Sequence, residues 1–225
     1  MHPLSKRLQV IFDLVADGAY VADIGTDHAY LPIALTLSRK AKGVIACDIK
    51  EKPLQKANDN IKKFGINSIE TRLGDGLTPV LKGEADTVIV AGMGGDVISH
   101  ILSCCEWIKD KNVTLLLQPM TSAELLRGYL TENLFEIEKE VAVSEKGKVY
   151  TVIKAHFCGV EKHYPVGYEF TGCITPDSED AMLYLKKQHK RISECISQIS
   201  GVPTKASDTE HFKKILAHIE KIMES

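Results

Sequence analysis

The sequence predicts an α/β fold: a parallel sheet layered between helices, ending in an antiparallel hairpin and followed by a two-helix coiled-coil hairpin. Three observations predict it. Short apolar runs alternate with helical patterns as far as about residue 159, which implies a parallel sheet with right-handed crossovers. Runs such as TVIVAG and TLLLQ are apolar without alternation, as strands buried on both faces are. The last two extended runs flank SEKGK, a hairpin turn with Gly147 at its tip.

The elements follow in order. The stretch at residues 1–15, MHPLSKRLQVIFDLV, reads as an amphipathic helix, because no apolar core with a cleavage site follows its charges. YVADIG is the first strand and AYLPIALTLSRK the helix after it. KGVIACDI is the second strand. KPLQKANDNIKKFG is a helix that starts near Pro53 and stops at Gly65. SIETRLGDGL holds the third strand and its loop, and ADTVIVAGMGG the fourth strand. DVISHILSCCEWI is one helix, VTLLLQP the fifth strand, and SAELLRGYLTEN a helix that Ser122 is placed to cap.

Beyond residue 160 the pattern changes, so domains are expected at 1–160 and 161–225. In the second part Met182, Leu185, His189, Ile192, Ile196 and Ile199 alternate spacings of three and four, a coiled-coil seam. GVPTKASD breaks it, and Phe212, Ile215, Ile219 and Ile222 repeat the seam in a second helix. The break is short, so the hairpin is expected to close on itself in a monomer. The competing reading is dimerisation, with His189 as the polar residue that sets register.

Composition narrows the function. Hydrophobic residues make up 44% and charged residues 26% of 225, as in a packed globular chain. No apolar run reaches the roughly 20 residues of a membrane helix, and a cytoplasmic protein without a membrane partner is expected. The net charge of −2 excludes a globally basic nucleic-acid surface, so any such contact rests on local clusters. The six cysteines form no CxxC pair. Reduced thiols are expected, and no metal site.

Chemistry gathers at the strand ends, the edge where open α/β sheets bind ligands. Asp23 and Gly25 close the first strand, and Asp48 with Ile49 the second. Asp75 and Gly76 follow the third, and Gly92, Met93 and Gly94 the fourth. Gly25 permits close backbone approach, and Asp23 orients the loop or an ammonium group. Asp48 is spaced to hold ribose hydroxyls, and Asp75 to accept from an adenine amino group. A dinucleotide needs G-x-G-x-x-G at the first turn. Here the second and third glycines are missing, and Asp27 would repel a pyrophosphate. S-adenosylmethionine has no phosphate and carries a sulfonium, which a carboxylate tolerates. The loop and the terminal hairpin therefore favour the class I methyltransferase form of the Rossmann-like sheet over an NAD-linked oxidoreductase.

The motifs ADIGTDHAYLP, GDGL, VAGMGG and LQP, followed by a helical hairpin, resemble the bacterial tRNA adenine-22 N1-methyltransferases, the TrmK family, over nearly the whole chain. The resemblance implies methylation of N1 of an adenine in tRNA with S-adenosyl-L-methionine as cofactor. It carries Asp23, Gly25, Asp48, Asp75 and the GMGG glycines over as cofactor positions. Asp27, His28 and Tyr30 match the segment facing substrate. Family members carry Glu at the acidic end of the second strand, where this chain has the shorter Asp48.

On that footing the residues suggest roles. The target base must be turned out of its stack and held. Tyr30 is the candidate platform, or else packs under the helix. Asp27 is placed to stabilise the cationic product, or else caps the helix. His28 hydrogen-bonds the base or offers its backbone amide. Gln118 and Pro119 touch the adenine or merely end a strand. Lys186, Lys187, Lys190 and Arg191, with Lys213 and Lys214 on the partner helix, form a phosphate grip or a solvated face. Two rival functions keep the same fold: a small-molecule methyltransferase, and a non-catalytic RNA-binding protein.

Overall fold

The computed structural model describes residues 3–200 and 203–225. Residues 1–2 of the N-terminal stretch and 201–202 of the expected break lie outside them. The first helix, α1 (Lys6–Leu14), is capped by the Ser5 side chain. There follow β1 (Ala19–Ile24), α2 (Tyr30–Leu37), β2 (Ala41–Asp48), α3 (Glu51–Lys63), β3 (Ile69–Leu73), β4 (Thr87–Gly94) and α4 (Gly95–Ser103). Then come β5 (Thr114–Thr121), α5 (Ala123–Glu132), β6 (Phe135–Glu145), β7 (Lys148–Phe157), α6 (Tyr168–Thr171), α7 (Glu179–Ile199) and α8 (Ala206–Met223).

Among the described residues seven strands form one sheet in the order β3-β2-β1-β4-β5-β7-β6. The pairs β1–β2, β2–β3, β1–β4 and β4–β5 are parallel. β7 enters antiparallel between β5 and β6. The tight turn that allows this has positive φ at Lys146 (50°) and Gly147 (74°), the backbone of a two-residue hairpin. One core layer lies under α1, α2 and α3, around Ile11, Leu35, Ala57 and Ile89. The other lies under α4 and α5, around Val90, Ile98, Leu117 and Leu126. No helix among the described residues is long and apolar enough to cross a membrane.

Two local expectations fail. The helix expected over DVISHILSCCEWI stops at Ser103, and a 3-10 turn covers Glu106–Ile108. Between them Cys105 turns extended, at φ −134° and ψ 106°, and both Cys105 and Ile108 enter the core. Ser122 stands at the N-cap of α5 but does not cap it with its side chain. Its backbone is left-handed at φ 55°, so its carbonyl, not its hydroxyl, starts the helix through Leu125 and Leu126.

The C-terminal helices fold back on one another, and the seam divides. Its lower half, with Ile192 and Ile196 on α7, packs on Phe212, Ile215 and Ile219 of α8. Higher up, Ala181, Tyr184 and Leu185 form a cluster with Ala142 and Val149 of the β6–β7 hairpin, against which Ile222 and Met223 of α8 also pack. His189 meets Glu220 of α8 at 3.1 Å within the same chain. Beneath this joint lies a buried ion pair, Arg127 of α5 with Glu140 of β6, its Nη2–Oε1 distance 2.6 Å. Arg127 also donates to the Glu169 carbonyl at 2.8 Å and the Tyr184 hydroxyl at 2.8 Å. Glu140 accepts from Thr151 Oγ1 at 2.7 Å and Cys173 N at 3.1 Å. A buried pair is tolerable when its remaining donors and acceptors are met in this way. The pair ties α5, the hairpin, the 168–173 turn and α7 together.

Candidate functional site

All nine residues expected around the cofactor lie at or just past the C-terminal ends of β1 to β4. β1 and β4 are the neighbours at which the strand order reverses, and a crevice opens at such a point. The turn after β1 is pinned to β2, because Gly25 N and Thr26 N both donate to the Cys47 carbonyl, at 2.8 and 2.9 Å. Gly25 has φ +83°, and a Cβ there would collide with the methyl of Met93. Gly92 also has positive φ, +80°, with open space around it. The two turns thus leave a shallow backbone cradle with Met93 across it.

Two acids face this cradle. Asp23 is 7% exposed. Burial pushes its carboxyl up to about 6; the nearby Thr26 hydroxyl eases this, and the charge of Asp48 adds to it. Asp48 Oδ1 accepts from Lys50 N at 2.8 Å, which fixes the carboxylate at the strand end. Beside it Ile49 and Leu73 are 58% and 49% exposed, two apolar side chains suited to the faces of a purine. Asp75 is exposed in the loop after β3, where its carbonyl accepts from Thr78. Gly76 has φ +52° and packs on Ile101. The donor set fits S-adenosylmethionine. It offers carboxylates for hydroxyl and amino groups and apolar cover for adenine.

The three substrate-side candidates come together on the turn between β1 and α2. His28 and Tyr30 stack, with ring centroids 5.1 Å apart and planes at 15°. Asp27 Oδ2 lies 3.3 Å from His28 Nε2, and the Asp27 side chain is 67% exposed. Ala29, left-handed at φ 53°, takes the N-cap position of α2. Asp27 is therefore not the helix cap and points its carboxylate outward. Tyr30 is 39% exposed, so it does not pack under the helix. The His28 carbonyl is held by Asn60 Nδ2 at 3.0 Å.

At the end of β5, Gln118 is fully buried. Its Oε1 accepts from Arg7 Nη1 at 2.6 Å, and its Nε2 donates to the Pro119 carbonyl at 2.8 Å. Both ends of its amide are engaged within the protein, which favours the structural reading over an adenine contact. Arg7 also pairs with Glu145 at 3.2 Å and lies over the Tyr150 ring. Sequence reasoning missed Arg7, since a charge on an amphipathic helix gives no sign of a partner 111 positions away. Gly95, taken with the other GMGG glycines as a cofactor position, has a packing role: a Cβ there would strike the Ser122 carbonyl. The doubled glycine of GMGG was its one visible signal. Leu73 left none beyond its place beside Asp75.

The basic residues on α7 differ in their partners. Arg191 is bound to Glu124 at 2.6 Å and lies over the Phe170 ring, so part of its donor set is used within the protein. Lys190 pairs loosely with Glu194 at 3.8 Å. Lys187 donates to the Val149 carbonyl at 3.3 Å, while Lys186 is exposed.

Comparison with known proteins adds four findings. A family model described as a methyltransferase domain matches residues 4–153. The chain is 37% identical over 228 aligned residues to the tRNA (adenine(22)-N(1))-methyltransferase of Bacillus subtilis strain 168, covering 98% of this chain and 94% of that one. Among solved structures, that of Mycoplasma capricolum TrmK with S-adenosyl-homocysteine superposes with a TM-score of 0.83 at 30% identity, over 98% of this chain and 100% of the other. The Bacillus subtilis TrmK structure superposes with a TM-score of 0.78 at 33% identity, over 100% and 97%.

Proposed function

Because the chain belongs to the tRNA (adenine(22)-N(1))-methyltransferase family, we propose that it transfers a methyl group from S-adenosylmethionine to N1 of adenine 22 in tRNA. The single observation that carries the substrate side is the exposed Asp27 carboxylate beside the stacked His28–Tyr30 pair, one turn from the Gly25–Met93 cradle.

S-adenosylmethionine, when bound, supplies an electrophilic methyl group on a sulfonium. Asp48 would hold its ribose hydroxyls, Ile49 and Leu73 its adenine faces, and Asp75 its adenine amino group. Asp23 would hold its ammonium end. Gly25 and Gly92 keep side chains out of its path. The nucleophile needs no base, because adenine N1 carries a lone pair and no proton. What the protein supplies is position and charge. Tyr30 takes the extruded base on its ring face. Its partner His28 braces that ring and is itself held by Asn60. Asp27 faces the purine edge, where positive charge builds as N1 becomes quaternary, and a fixed carboxylate there stabilises that charge. The rest of the rate comes from holding N1 in line with the methyl group.

We take residues 1–160 as the unit that transfers the methyl group, and 161–225 as the unit that grips RNA from the side. The bonds of the Arg127–Glu140 pair to Glu169, Cys173 and Tyr184, which join them, support a fixed rather than a swinging attachment. The His189–Glu220 contact within one chain supports a monomer, working in the cytoplasm, where its tRNA substrate is used. The test is methylation of an unmodified tRNA transcript followed by nucleoside mass analysis. N1-methyladenosine is expected, and none should form when adenine 22 is replaced by guanine. Methylation of that replaced transcript to the same extent would refute the assignment.

A further inference from the structure

A narrow cleft of about 70 Å³ lies between the end of β5 and the middle of α7, with Met120 and Ser122 on one wall, Tyr150 behind, and Lys187 and Gln188 on the other. It adjoins the cofactor cradle without belonging to it. The strand register sets Pro119 beside Met93 and Thr121 beside Gly94, so the β5 wall of the cleft backs onto the GMGG turn.

The chemistry of the cleft is incomplete. Gln188 is 6% exposed, and its Oε1 has no hydrogen-bond partner among the described residues. Buried acceptors are nearly always paired, and an unpaired one implies a missing donor. At the rim, the exposed Lys187 uses one of its three donors on the Val149 carbonyl. The other cation there, Arg191, is neutralised by Glu124. The cleft therefore offers one ammonium group with donors to spare and one acceptor without a donor.

A ligand that answers both carries an anionic group and a hydroxyl a few bonds apart. The volume has room for about two water-sized groups, so a hydroxyl and the sugar edge that bears it can enter while the anionic group stays at the rim beside Lys187. A ribose–phosphate unit of RNA meets both conditions, and its 2′-hydroxyl is what DNA lacks. Gln188 lines the cleft, and the last torsion of a glutamine amide is broad, so a small rotation brings Oε1 within reach of a hydroxyl there.

We propose that this cleft is a ribose–phosphate subsite for the tRNA strand beside the target nucleotide. Lys187 Nζ binds a phosphate, and Gln188 Oε1 accepts from a 2′-hydroxyl. The proposal rests on the tRNA methylation reading and deepens it. It also divides the basic cluster: Lys187 engages RNA, Arg191 builds the wall, and Lys186, which does not line the cleft, has no part in it.

The test measures binding of unmodified tRNA across a salt series, in the presence of S-adenosylhomocysteine. In Lys187→Ala the slope of log Kd against log salt should shrink by about 0.7–0.9, the loss of one phosphate contact. Lys187→Arg should restore the slope, and Lys186→Ala should leave it at the wild-type value. Gln188→Leu should keep the slope and weaken binding by about three- to tenfold, the worth of one neutral hydrogen bond. A tRNA with 2′-deoxy nucleotides flanking adenine 22 should bind wild type more weakly by a similar factor, with no added loss in Gln188→Leu. An unchanged slope in Lys187→Ala would overturn the phosphate contact, as would equal changes in Lys186→Ala and Lys187→Ala. Full tRNA affinity in Gln188→Leu would mean that a water molecule serves its Oε1, and would overturn the hydroxyl contact. Wild-type methylation of adenine 22 is followed in the same preparation. Its absence would strike the functional reading, whereas its presence with wild-type slopes in Lys187→Ala strikes the subsite alone.

Discussion

Replacing Asp23 with Asn should make the cofactor-free protein more stable and its cofactor site worse. Asp23 is 7% exposed at the end of β1, and burial raises its carboxyl from the ordinary 3.8 to about 6. The folded protein therefore binds a proton more tightly than the unfolded chain, and stability falls as pH climbs through the window from about 4 to about 6. Above that window the cost is complete. A rise of about two units is worth about 3 kcal/mol, at roughly 1.4 kcal/mol per unit. Asn has nearly the same shape and no charge, so it should recover about that amount at pH 7.5. At pH 5 it should recover about half as much, and at pH 4 little. For a chain of this length the melting temperature should rise by about 6–12 °C at pH 7.5. The assay is thermal unfolding of wild type and variant at the three pH values, with calorimetric titration of S-adenosylhomocysteine alongside. Affinity should drop, since the ammonium end loses its carboxylate. A gain of equal size at every pH, or a less stable variant at pH 7.5, would refute the view that Asp23 is a buried charge kept for the ligand.

Three further outcomes follow from the geometry. Tyr30→Phe should keep most methylation activity and Tyr30→Ala lose about ten- to a hundredfold, the worth of one base–aromatic stack; equal activity in the two, by initial rates on tRNA, would exclude stacking. Gly95→Ala should cost about 1–3 kcal/mol in denaturant unfolding, because its methyl group overlaps the Ser122 carbonyl and the β5–α5 turn must move. Arg127→Met should cost about 3–5 kcal/mol by leaving Glu140 buried without its cation, and Arg127→Met with Glu140→Leu should recover much of that loss; a double variant no better than the single one would contradict the ion-pair account.

What could be read from the chain, and what could not, divides by the range of the interaction. TVIVAG and TLLLQ announced central strands because burial on both faces leaves no polar position. Gly147 announced the hairpin because few residues other than glycine accept its left-handed backbone. The acids Asp23, Asp48 and Asp75 were findable because each stands at a strand end, and strand ends in this fold share one edge. Pairings across the fold carried no such mark. Arg7 and Gln118, Arg127 and Glu140, and Arg191 and Glu124 meet only after the sheet is assembled. Arg191 thus read as one more lysine-like charge on a helix. The seam on α7 was visible as a stripe, but a stripe does not say what covers it. The cluster around Leu185 takes in the β6–β7 hairpin as well as Ile222 and Met223 of α8. Ser122 misled for a local reason: its type favours capping, but its left-handed backbone puts the carbonyl, not the hydroxyl, at the helix start.

The measurement that bears most directly on the whole account is single-turnover methylation of tRNA by Asp27→Asn, with cofactor and tRNA both saturating, beside calorimetric binding of S-adenosylhomocysteine. The outward carboxylate is assigned to the charged purine and not to the cofactor. The rate should therefore fall by about a hundredfold or more, while affinity for S-adenosylhomocysteine stays within about twofold of wild type. A wild-type rate, or a cofactor affinity that collapses with the rate, would contradict it.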